Sequence, residues 1–413
     1  MKHIKLIILC AALFLGGCAA DINESGGAGT ESSAETEIIP GRADREILPD
    51  YLEVKPEGEH DVSVLFMNVG KADSVLVTVD GKNYLIDTGT AASVPVILAS
   101  FERLGVESLD GVFITHTDND HTGGYEAVTA EYPAEVVYTS SISSDWDKME
   151  DLRGETERVS LDPGSAVELA EGVYFTVMGP VRYNPADDNN NSMVLRLEVN
   201  GKVILFCGDM MFDEETSLLH SGMPLSCDVL KVGYHGNKEA TSQKFIAAAS
   251  PSLAVISTDR EEDDNSAHKS VVKALETAGA EVTVTDEYSL GLLLTVERGG
   301  TIVREDLVPS HEPADLKFTE VSKADQYTVI ENRGSEAVDI SGWYIVSIRG
   351  REVFVFPEGS RIESGDTVTV ACREYTGEHD YVWAENRVWH KDKKDIAVLY
   401  DTWGNRVDEK KSK

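Results

Sequence analysis

The chain has 413 residues, 41% of them hydrophobic, which is enough for two globular domains with apolar cores. Its 73 acidic and 37 basic residues give a formal net charge of -36. This charge excludes a protein that grips nucleic acid through a broad basic face, so any polyanionic substrate must be bound at a local site.

The first 20 residues resemble a bacterial export signal. Lys2 and Lys5 supply a positive start, and Ile4 to Leu15 is an apolar core that is too short to span a bilayer comfortably. The small residues that follow resemble a lipobox, which implies cleavage before Cys18 and lipidation of its thiol. An ordinary secretory signal with an unrelated cysteine is the alternative. We therefore expect residues 1–20 to be a lipoprotein signal, and the mature chain to be lipid-anchored at the extracellular face of the bacterial cell membrane.

Composition divides the rest of the chain into three segments. Residues 21–58 are rich in Gly, Ser, Glu and Ala and predict a flexible linker. Residues 59–308 alternate strand-like and helix-like segments, as an α/β domain does. Two prolines in the polar stretch from Val308 to Pro313 favour an extended connection. The short strands and turns after it predict a separate all-β domain over residues 315–410.

The α/β segment contains two series of predicted elements. The first series comprises Val62 to Met67, Ser74 to Val79, Asn83 to Ile86, the amphipathic helix Val94 to Leu104, and Gly111 to Ile114. The second comprises Val173 to Met178, Ser192 to Val199, Lys202 to Phe206, Val229 to Val232, Leu253 to Ser257, and the helix His268 to Ala278. Two such halves suit a sheet-on-sheet core with helices outside.

The cysteines argue against a disulfide framework. With Cys18 lipidated, Cys207, Cys227 and Cys372 remain in the mature chain, which is an odd number. Cys207 and Cys227 lie in apolar, strand-like runs, so we expect both to be buried free thiols.

The most informative stretch follows the predicted strand Gly111 to Ile114. It places His116, Asp118, Asp120 and His121 within six residues. Neutral imidazole and carboxylate oxygen are the usual ligands of zinc and manganese, and ligands so close in sequence converge when the loop turns sharply. The pattern therefore predicts a metal site, with a solvated acidic loop as the alternative.

Other predicted strands end in residues of the same chemistry. Asp87, Asp209 and His235 each follow a strand. A carboxylate at Asp87 is suited to orient a metal-binding imidazole, and one at Asp209 is suited to bridge two cations. His268 begins a predicted helix. Taken singly, Asp87 and Asp209 also suit ordinary strand-ending turns, and His268 suits a helix start.

Together these motifs resemble the metallo-β-lactamase-fold hydrolases, specifically the nuclease-like domain of the ComEC/Rec2 competence proteins. The resemblance covers residues 62–296. It is carried by Asn68-Val69-Gly70-Lys71-Ala72-Asp73, Asp87-Thr88-Gly89, the group His116, Asp118, Asp120 and His121, Asn190-Asn191-Ser192, Gly208-Asp209, Leu230-Lys231-Val232, Tyr234-His235-Gly236, His268 and Thr285-Asp286. The sequence departs from the family pattern beside the expected site, at Asn68, Lys71-Ala72, Tyr234 and Lys269.

The resemblance implies an αββα metallo-β-lactamase sandwich with two divalent metal ions, zinc or manganese. It implies that His116 and Asp118 bind one ion and that Asp209 bridges to the other. The second ion would be held by Asp120, His121 and His235. Two cations in such a pair lower the pKa of a shared water and make a hydroxide available near neutral pH.

The resemblance also implies roles for residues around the metals. Asp120 would act as a catalytic residue by orienting the hydroxide. His268 and Lys231 would act as catalytic groups that contact a phosphate or protonate the leaving oxygen. The residues expected behind the ligands or against the substrate are Asp73, Asp87, Asn191 and Lys71.

Residues 315–410 resemble a lamin-tail domain, an immunoglobulin-like sandwich. The segments that carry the resemblance are Tyr327 to Asn332, Ile340 to Trp343, Phe356 to Gly359, Gly365 to Val370 and Leu399 to Asp401. Trp343 is expected in the core of this domain rather than at a ligand site. Such a domain would offer a surface to a cell-wall or protein partner.

These resemblances imply a membrane-anchored, extracellular, metal-dependent hydrolase, a phosphodiesterase or nuclease that acts on DNA or another phosphodiester. Two alternatives stay open. One is a catalytically degenerate scaffold that serves as a surface binding module. The other is a hydrolase of another ester or amide, since this fold hosts many reactions.

Overall fold

The computed structural model describes residues 58–142, 156–390, 392–393 and 395–413. The predicted lipoprotein signal, the predicted lipidation at Cys18, and the predicted linker up to residue 57 lie outside the described residues. Within the described residues, no helix has the length and apolar character needed to cross a membrane.

The first domain mixes strands and helices along the chain. Its elements are β1 (Val62–Met67), β2 (Val75–Val79), β3 (Lys82–Ile86), α1 (Val94–Leu104), β4 (Gly111–Ile114), α2 (Asn119–Thr122), α3 (Tyr125–Glu131), β5 (Val136–Ser140), β6 (Glu157–Leu161), β7 (Ala166–Ala170), β8 (Val173–Gly179), β9 (Val194–Val199), β10 (Lys202–Phe206), α4 (Phe212–Ser221), β11 (Val229–Lys231), α5 (Gln243–Ala249), β12 (Leu253–Ile256), α6 (Lys269–Thr277), β13 (Glu281–Val284), β14 (Gly291–Val296) and β15 (Ile302–Leu307). Short 3-10 turns cover Ala91–Ser93, Asp188–Asn191, Gly233–Gly236 and Thr285–Glu287.

These strands form two sheets. In the described part of the chain, one sheet has eight strands in the order β15-β14-β1-β2-β3-β4-β5-β6. Over the same residues the other has seven, in the order β13-β12-β11-β10-β9-β8-β7. β3 and β4 run parallel in the first sheet, and β10, β11 and β12 run parallel in the second. Parallel neighbours end at the same edge of a sheet, so the loops after these strands lie side by side.

The two sheets pack face to face around an apolar core. Phe66 and Phe113 from the first sheet are buried against Phe206 and Phe175 from the second. The ring centroids of Phe66 and Phe206 are 6.1 Å apart, and those of Phe113 and Phe175 are 5.0 Å apart. Helices α1 and α3 cover the outer face of the first sheet, and α4, α5 and α6 cover that of the second. The expected αββα sandwich is confirmed.

The second domain consists of strands and turns in the residues described. Its strands are β16 (Leu316–Ser322), β17 (Tyr327–Asn332), β18 (Val338–Asp339), β19 (Tyr344–Ser347), β20 (Val353–Val355), β21 (Arg361–Ile362), β22 (Thr367–Cys372), β23 (Tyr381–Trp383), β24 (Ile396–Tyr400) and β25 (Arg406–Lys411). Two main sheets, β16-β17-β22-β23 and β20-β19-β24-β25, enclose a core that contains Trp343 and Trp389. The expected all-β class and the core position of Trp343 are confirmed.

The cysteines agree with their sequence pattern. Cys207, Cys227 and Cys372 are all buried free thiols. Burial raises the pKa of the Cys227 thiol to about 12, so this thiol is held in its unreactive, protonated form.

Glu214 gives this fold a pH-dependent term in its stability. Its side chain is 2% exposed in the first turn of α4, and its Oε1 accepts a hydrogen bond of 2.6 Å from the Val181 backbone N–H. Burial raises the pKa of this carboxyl from 4.5 to about 8. The folded state therefore binds the proton more tightly than the unfolded state does. The resulting stability is fully present below pH 4.5 and is lost as the pH rises through about 8.

In the wild type, the free energy of unfolding should fall between pH 5 and pH 8 as Glu214 becomes harder to keep protonated. We predict that Glu214→Gln reduces this fall by roughly 2–4 kcal/mol. The amide keeps an oxygen for the Val181 N–H and has no charge to desolvate. Urea unfolding at a series of pH values measures this slope. Glu126→Gln, at an exposed position of α3, is the matched control and should leave the slope unchanged. Equal slopes in wild type and Glu214→Gln would contradict the prediction.

Candidate metal centre

The loops after five strands converge at one edge of the sandwich. Asp87 follows β3 and His116 follows β4 in the first sheet, while Asp209 follows β10 in the second. Lys231 ends β11, and Ser257 follows β12. All five residues are buried, at 2% exposure or less. The sheet topology thus brings polar groups from distant parts of the chain to the ends of neighbouring strands.

Three imidazoles face one another in this cluster. The ring centroids of His116 and His121 are 4.1 Å apart, and those of His121 and His235 are 5.7 Å apart. Asp209 lies between the second pair, with Oδ1 3.3 Å from Nε2 of His121 and Oδ2 3.3 Å from Nε2 of His235. One carboxylate therefore presents an oxygen to each of two imidazoles, which is the geometry of a bridging ligand.

The opposite nitrogen of each ring is held by the protein. Nδ1 of His121 is 2.8 Å from Oδ2 of Asp87, and Nδ1 of His235 is 2.8 Å from the carbonyl oxygen of Ser257. A carbonyl can only accept a hydrogen bond, so the proton of His235 belongs on Nδ1 and the lone pair on Nε2. Fixing Nδ1 in this way aims Nε2 at the cluster, as outer partners of metal-binding histidines do.

Thr115 and Ser192 complete this support. Thr115 donates its backbone N–H and its hydroxyl to the two oxygens of Asp87, at 2.8 Å each. The Ser192 hydroxyl lies 3.3 Å from Nδ1 of His116 and accepts the Asp209 N–H at 3.0 Å. These contacts hold a ring and a carboxylate in place without using the atoms that face inward.

Backbone conformation is strained at two of these positions. Asp87 has φ of 58° and His235 has φ of 51°, in the left-handed region that residues other than glycine seldom adopt. Residues are held in such conformations when the surrounding structure overdetermines them, and such positions cluster at functional sites. The strain places both side chains toward the cluster at the point where each strand ends.

The inward atoms lack protein partners. In the described part of the chain, Nε2 of His116, His121 and His235 and Oδ1 of Asp209 are buried without a hydrogen bond. Such a set is costly to bury unless something else satisfies it. Ligand atoms of His116, His121 and Asp209 lie within 4.8 Å of one another, as do those of Asp120, His121 and His235. Imidazole nitrogen and carboxylate oxygen in these groups fit divalent cations such as zinc or manganese.

The electrostatics of the cluster agree with that fit. Burial alone would raise the pKa of Asp209, but the charges of His235 and His121 hold that pKa well below its ordinary value. Burial alone would lower the pKa of His235, but Asp209 and Asp120 raise it to about 9. The buried carboxylate of Asp209 is therefore stable in its ionised form only with positive charge nearby. A divalent cation supplies that charge while the imidazoles stay neutral and act as ligands.

Asp118 and Asp120 differ in their relation to the cluster. Oδ2 of Asp120 is 3.5 Å from Nε2 of His235, and 17% of the side chain is exposed. Oδ2 of Asp118 is 3.7 Å from Nε2 of His116, with 51% of the side chain exposed. Among the described residues, Asp118 belongs to no compact group of three ligand atoms. The structure therefore joins His116 to His121 and Asp209, and leaves Asp118 at the edge.

Lys231 is fully enclosed behind the metal ligands. Its ammonium donates to Oδ2 of Asp73 and, at 3.1 Å, to the carbonyl of Gly208. Asp73 in turn lies 3.8 Å from Nδ1 of both His121 and His235. Lys231 is only 2% exposed, so its charge neutralises Asp73 behind the ligands and does not reach toward solvent.

The other predicted substrate residues direct their side-chain contacts to groups other than the imidazoles. Asn191 is 2% exposed, and its side-chain amide forms hydrogen bonds with the backbone of Asn184 and the carboxylate of Asp188. His268 caps α6, where its Nδ1 accepts the Ser270 N–H at 3.3 Å, and among the described residues no hydrogen bond or ion pair of its side chain joins it to the imidazoles. The ammonium of Lys71 pairs at 3.0 Å with Oδ2 of Asp263.

Sequence reasoning missed four groups that the structure brings to the site. Thr115, Ser192 and the Ser257 carbonyl orient ligands, and Arg351 of the second domain lies 3.8 Å from Oδ2 of Asp120. Ser192 belongs to a motif that carries the resemblance and Thr115 directly precedes His116, so both positions carried a signal although neither was assigned a role. Nothing local to Arg351 indicated its place, because it is 231 positions from Asp120 in the chain. We call Lys71, Asp120, Glu262 and Arg351 the rim of the site.

Comparison with known proteins supplies a family for each domain. Residues 67–259 match the Metallo-beta-lactamase superfamily, and residues 309–412 match the Lamin Tail Domain. The chain carries a metallo-β-lactamase superfamily domain followed by a lamin tail domain. Both parts of the resemblance drawn from the sequence are confirmed.

Curated relatives share the first domain. The chain is 26% identical over 286 residues to ComE operon protein 3 of Bacillus subtilis, a match that covers 64% of this chain and 36% of the relative. It is 31% identical over 218 residues to Competence protein ComA of Neisseria gonorrhoeae, covering 51% of this chain and 29% of the relative. The matches thus span about a third of each relative's length.

A solved structure, the metallo-beta-lactamase fold protein YhfI from Bacillus subtilis, aligns with a TM-score of 0.41 and 14% identity. The alignment covers 57% of this chain and 99% of that protein.

We predict that His235→Ala lowers the content of tightly bound divalent metal by about one ion per chain, because His235 faces two of the ligand groups. Metal-loaded protein is dialysed and measured by elemental analysis, with melting temperature as a check on folding. His220→Ala removes an exposed histidine of α4 and should leave the metal content at the wild-type value. A folded His235→Ala protein with wild-type metal content would contradict the prediction.

Proposed function

We propose that this protein is a metal-dependent phosphodiesterase that acts on DNA or another phosphodiester at the outer face of a bacterial membrane. The observation that carries the proposal is the buried cluster in which Asp209 lies between His121 and His235, with the inward nitrogens unpaired among the described residues. A phosphodiesterase is one of the reactions this donor set supports, because the donors could hold a pair of cations and the Asp120 side of the cluster is partly exposed.

The substrate class is proposed from the relatives. The matched proteins are named ComE operon protein 3, Competence protein ComA and Recombination protein 2, the last from Haemophilus influenzae. Competence and recombination are DNA processes, so DNA is the first substrate to test. The lipid anchor at Cys18 is proposed from the sequence of the export signal alone. It would hold the domain at the extracellular face of the cell membrane.

A bound cation pair would lower the pKa of a shared water and neutralise charge that develops on a phosphoryl oxygen. His116, His121, His235, Asp209 and Asp120 are the residues that would hold the pair. The chain's own contribution is to keep the five donors aimed inward through contacts such as those from Asp87 and Ser257. The burial of the cluster also excludes bulk water from its inner side, which strengthens every electrostatic interaction there.

Asp120 is the ligand best placed to meet the attacking group. Its side chain is the most exposed of the five donors that face the cluster, and the nearby imidazoles of His235 and His121 hold its pKa below the ordinary value although burial alone would raise it. Asp120 therefore stays ionised. An ionised carboxylate orients a water and can accept its proton, but it does not protonate a leaving group.

We predict that Asp120→Ala lowers kcat on a phosphodiester by about 100-fold to 10,000-fold, the usual range for loss of a positioned acid or base. The assay follows hydrolysis of single-stranded DNA and of bis(4-nitrophenyl) phosphate with manganese or zinc. Asp264→Ala removes an exposed aspartate from the loop before α6 and should retain wild-type kcat.

This assay, combined with elemental analysis of the metal content and with other ester and amide substrates, separates the alternatives. A protein that holds two metal ions and cleaves only another ester or amide is a hydrolase of different specificity. A protein that binds no stoichiometric divalent metal is a degenerate scaffold, and the binding-module interpretation replaces the proposal. Activity of Asp120→Ala equal to wild type would remove Asp120 from the mechanism while leaving the reaction class intact.

The net charge sets a second prediction. A formal charge of -36 repels a polyanion such as DNA at long range. Salt weakens this repulsion beyond the Debye length, which is about 8–10 Å near physiological ionic strength. We predict that moderate salt or millimolar divalent ions raise kcat/KM on DNA. The small ester bis(4-nitrophenyl) phosphate carries one charge and should respond less. A steep fall of DNA cleavage with rising salt would contradict this electrostatic account.

A further inference from the structure

The second domain packs against the first beside the metal centre. Tyr400 of β24 packs on the core that includes α1, and Ala92 of the first domain packs on the core of the second. Lys411 pairs with Glu261 at 3.2 Å, and Arg406 approaches Asp259 at 4.0 Å. These contacts set the position of the β19–β20 hairpin relative to the loop that precedes α6.

The tip of that hairpin reaches the rim of the site. Arg351 lies between β19 and β20, and its Nε donates to Oε1 of Glu262 at 2.7 Å. Its Nη2 donates to the carbonyl oxygen of Lys71 at 3.1 Å and lies 3.8 Å from Oδ2 of Asp120. One guanidinium from the second domain therefore contacts three segments that border the metal centre.

The hairpin holds this side chain in place. Arg351 has φ of 62°, in the left-handed region, and its N–H donates to the Ser347 carbonyl at 2.8 Å. Glu262 is fixed as well, because its Oε2 accepts the Lys71 N–H at 2.8 Å. A long side chain with both its backbone and its partner fixed loses little further entropy when it binds a ligand.

The guanidinium has capacity left for a ligand. Over the described residues its hydrogen bonds run through Nε and Nη2, which leaves the Nη1 edge, and 29% of the side chain is exposed. Guanidinium is the side chain best matched to phosphate geometry. The ammonium of Lys71, the other cation of the rim, is paired with Asp263.

Charge balance at the rim argues in the same direction. Asp118 and Asp120 are the partly exposed carboxylates that border the imidazoles, and a phosphodiester that enters past them meets repulsion. A fixed cation 3.8 Å from Asp120 offsets part of that repulsion beside the most exposed carboxylate that faces the cluster.

We propose that Arg351 binds a phosphoryl oxygen of the substrate, so that the lamin tail domain supplies one residue of the active site. This inference rests on the proposed phosphodiesterase function for its substrate class. The competing interpretation is that Arg351 only ties the two domains together, in which case its loss would weaken docking without changing affinity for phosphate.

The test compares Arg351→Ala, Arg351→Lys and the control Lys411→Ala in the full chain. Lys411→Ala removes an ion pair with Glu261 between the same two domains, and Lys411 forms no ion pair with a rim residue in the described part of the chain. We expect Arg351→Ala to raise KM for bis(4-nitrophenyl) phosphate by about 10-fold or more, with kcat changed less, since it loses a charge-assisted contact. Arg351→Lys should recover part of the loss, and Lys411→Ala should match wild type.

Inorganic phosphate supplies the second readout. Calorimetric titration of the metal-loaded proteins should show phosphate binding about 10-fold or more weaker in Arg351→Ala than in wild type and Lys411→Ala. Melting temperature and limited proteolysis report whether domain docking persists. Because Arg351→Lys keeps the charge at the hairpin tip, it tests the same contact if the alanine variant is poorly folded.

The outcomes distinguish this inference from the proposed function. Wild-type KM and phosphate affinity in Arg351→Ala would overturn the inference and leave the phosphodiesterase intact. A wild-type protein that binds phosphate through Arg351 but cleaves no phosphodiester would sink the proposed function alone. A metal-loaded wild-type protein that does not bind phosphate would overturn the inference as well.

Discussion

Asp209 is buried between His121 and His235, at 3.3 Å from each, and the arrangement of the site follows from this placement. A carboxylate taken out of water is stable only beside compensating positive charge or hydrogen-bond donors. The protein surrounds Asp209 with imidazoles whose outer nitrogens are already committed, and its backbone N–H is held by Ser192. The buried negative charge of Asp209 thus faces the inward atoms of the cluster, where a divalent cation would compensate it.

The buried pair of Lys231 and Asp73, on the outer side of the histidines, follows the same requirement that a buried charge be compensated. Asp73 stands close to the Nδ1 atoms of His121 and His235, and its charge is neutralised by a lysine that is itself fully enclosed. The protein therefore places one fixed cation behind the ligands and leaves the inward side to divalent ions. Removing one partner of such a buried pair leaves an uncompensated charge, so this lysine belongs to the architecture of the site and not to its solvent-facing chemistry.

Much of this arrangement was predictable because it is local. The loop from His116 to His121 carries four ligand-type side chains in sequence, and the predicted helix Val94 to Leu104 has the same bounds as α1. Strand-ending acids such as Asp87 are also local signals. The direction of a side chain is not local. Asn191 is enclosed by its own turn, and whether Lys231 points at a substrate or at Asp73 depends on a partner 158 positions away.

Arg351 marks the limit of what single-domain motifs reveal. No metallo-β-lactamase motif extends into the second domain, and no feature of the β19–β20 hairpin indicates a ligand by itself. Its significance depends on docking, through Glu262 and the Lys71 carbonyl. Lys71 is also one of the positions at which the sequence departs from the family pattern. In this chain the backbone carbonyl of Lys71 accepts a hydrogen bond from the Arg351 guanidinium of the neighbouring domain. A strongly acidic protein can thereby place positive charge next to its candidate metal ligands without a basic surface. The β19–β20 hairpin positions the Arg351 guanidinium there, and Glu262 pairs with it.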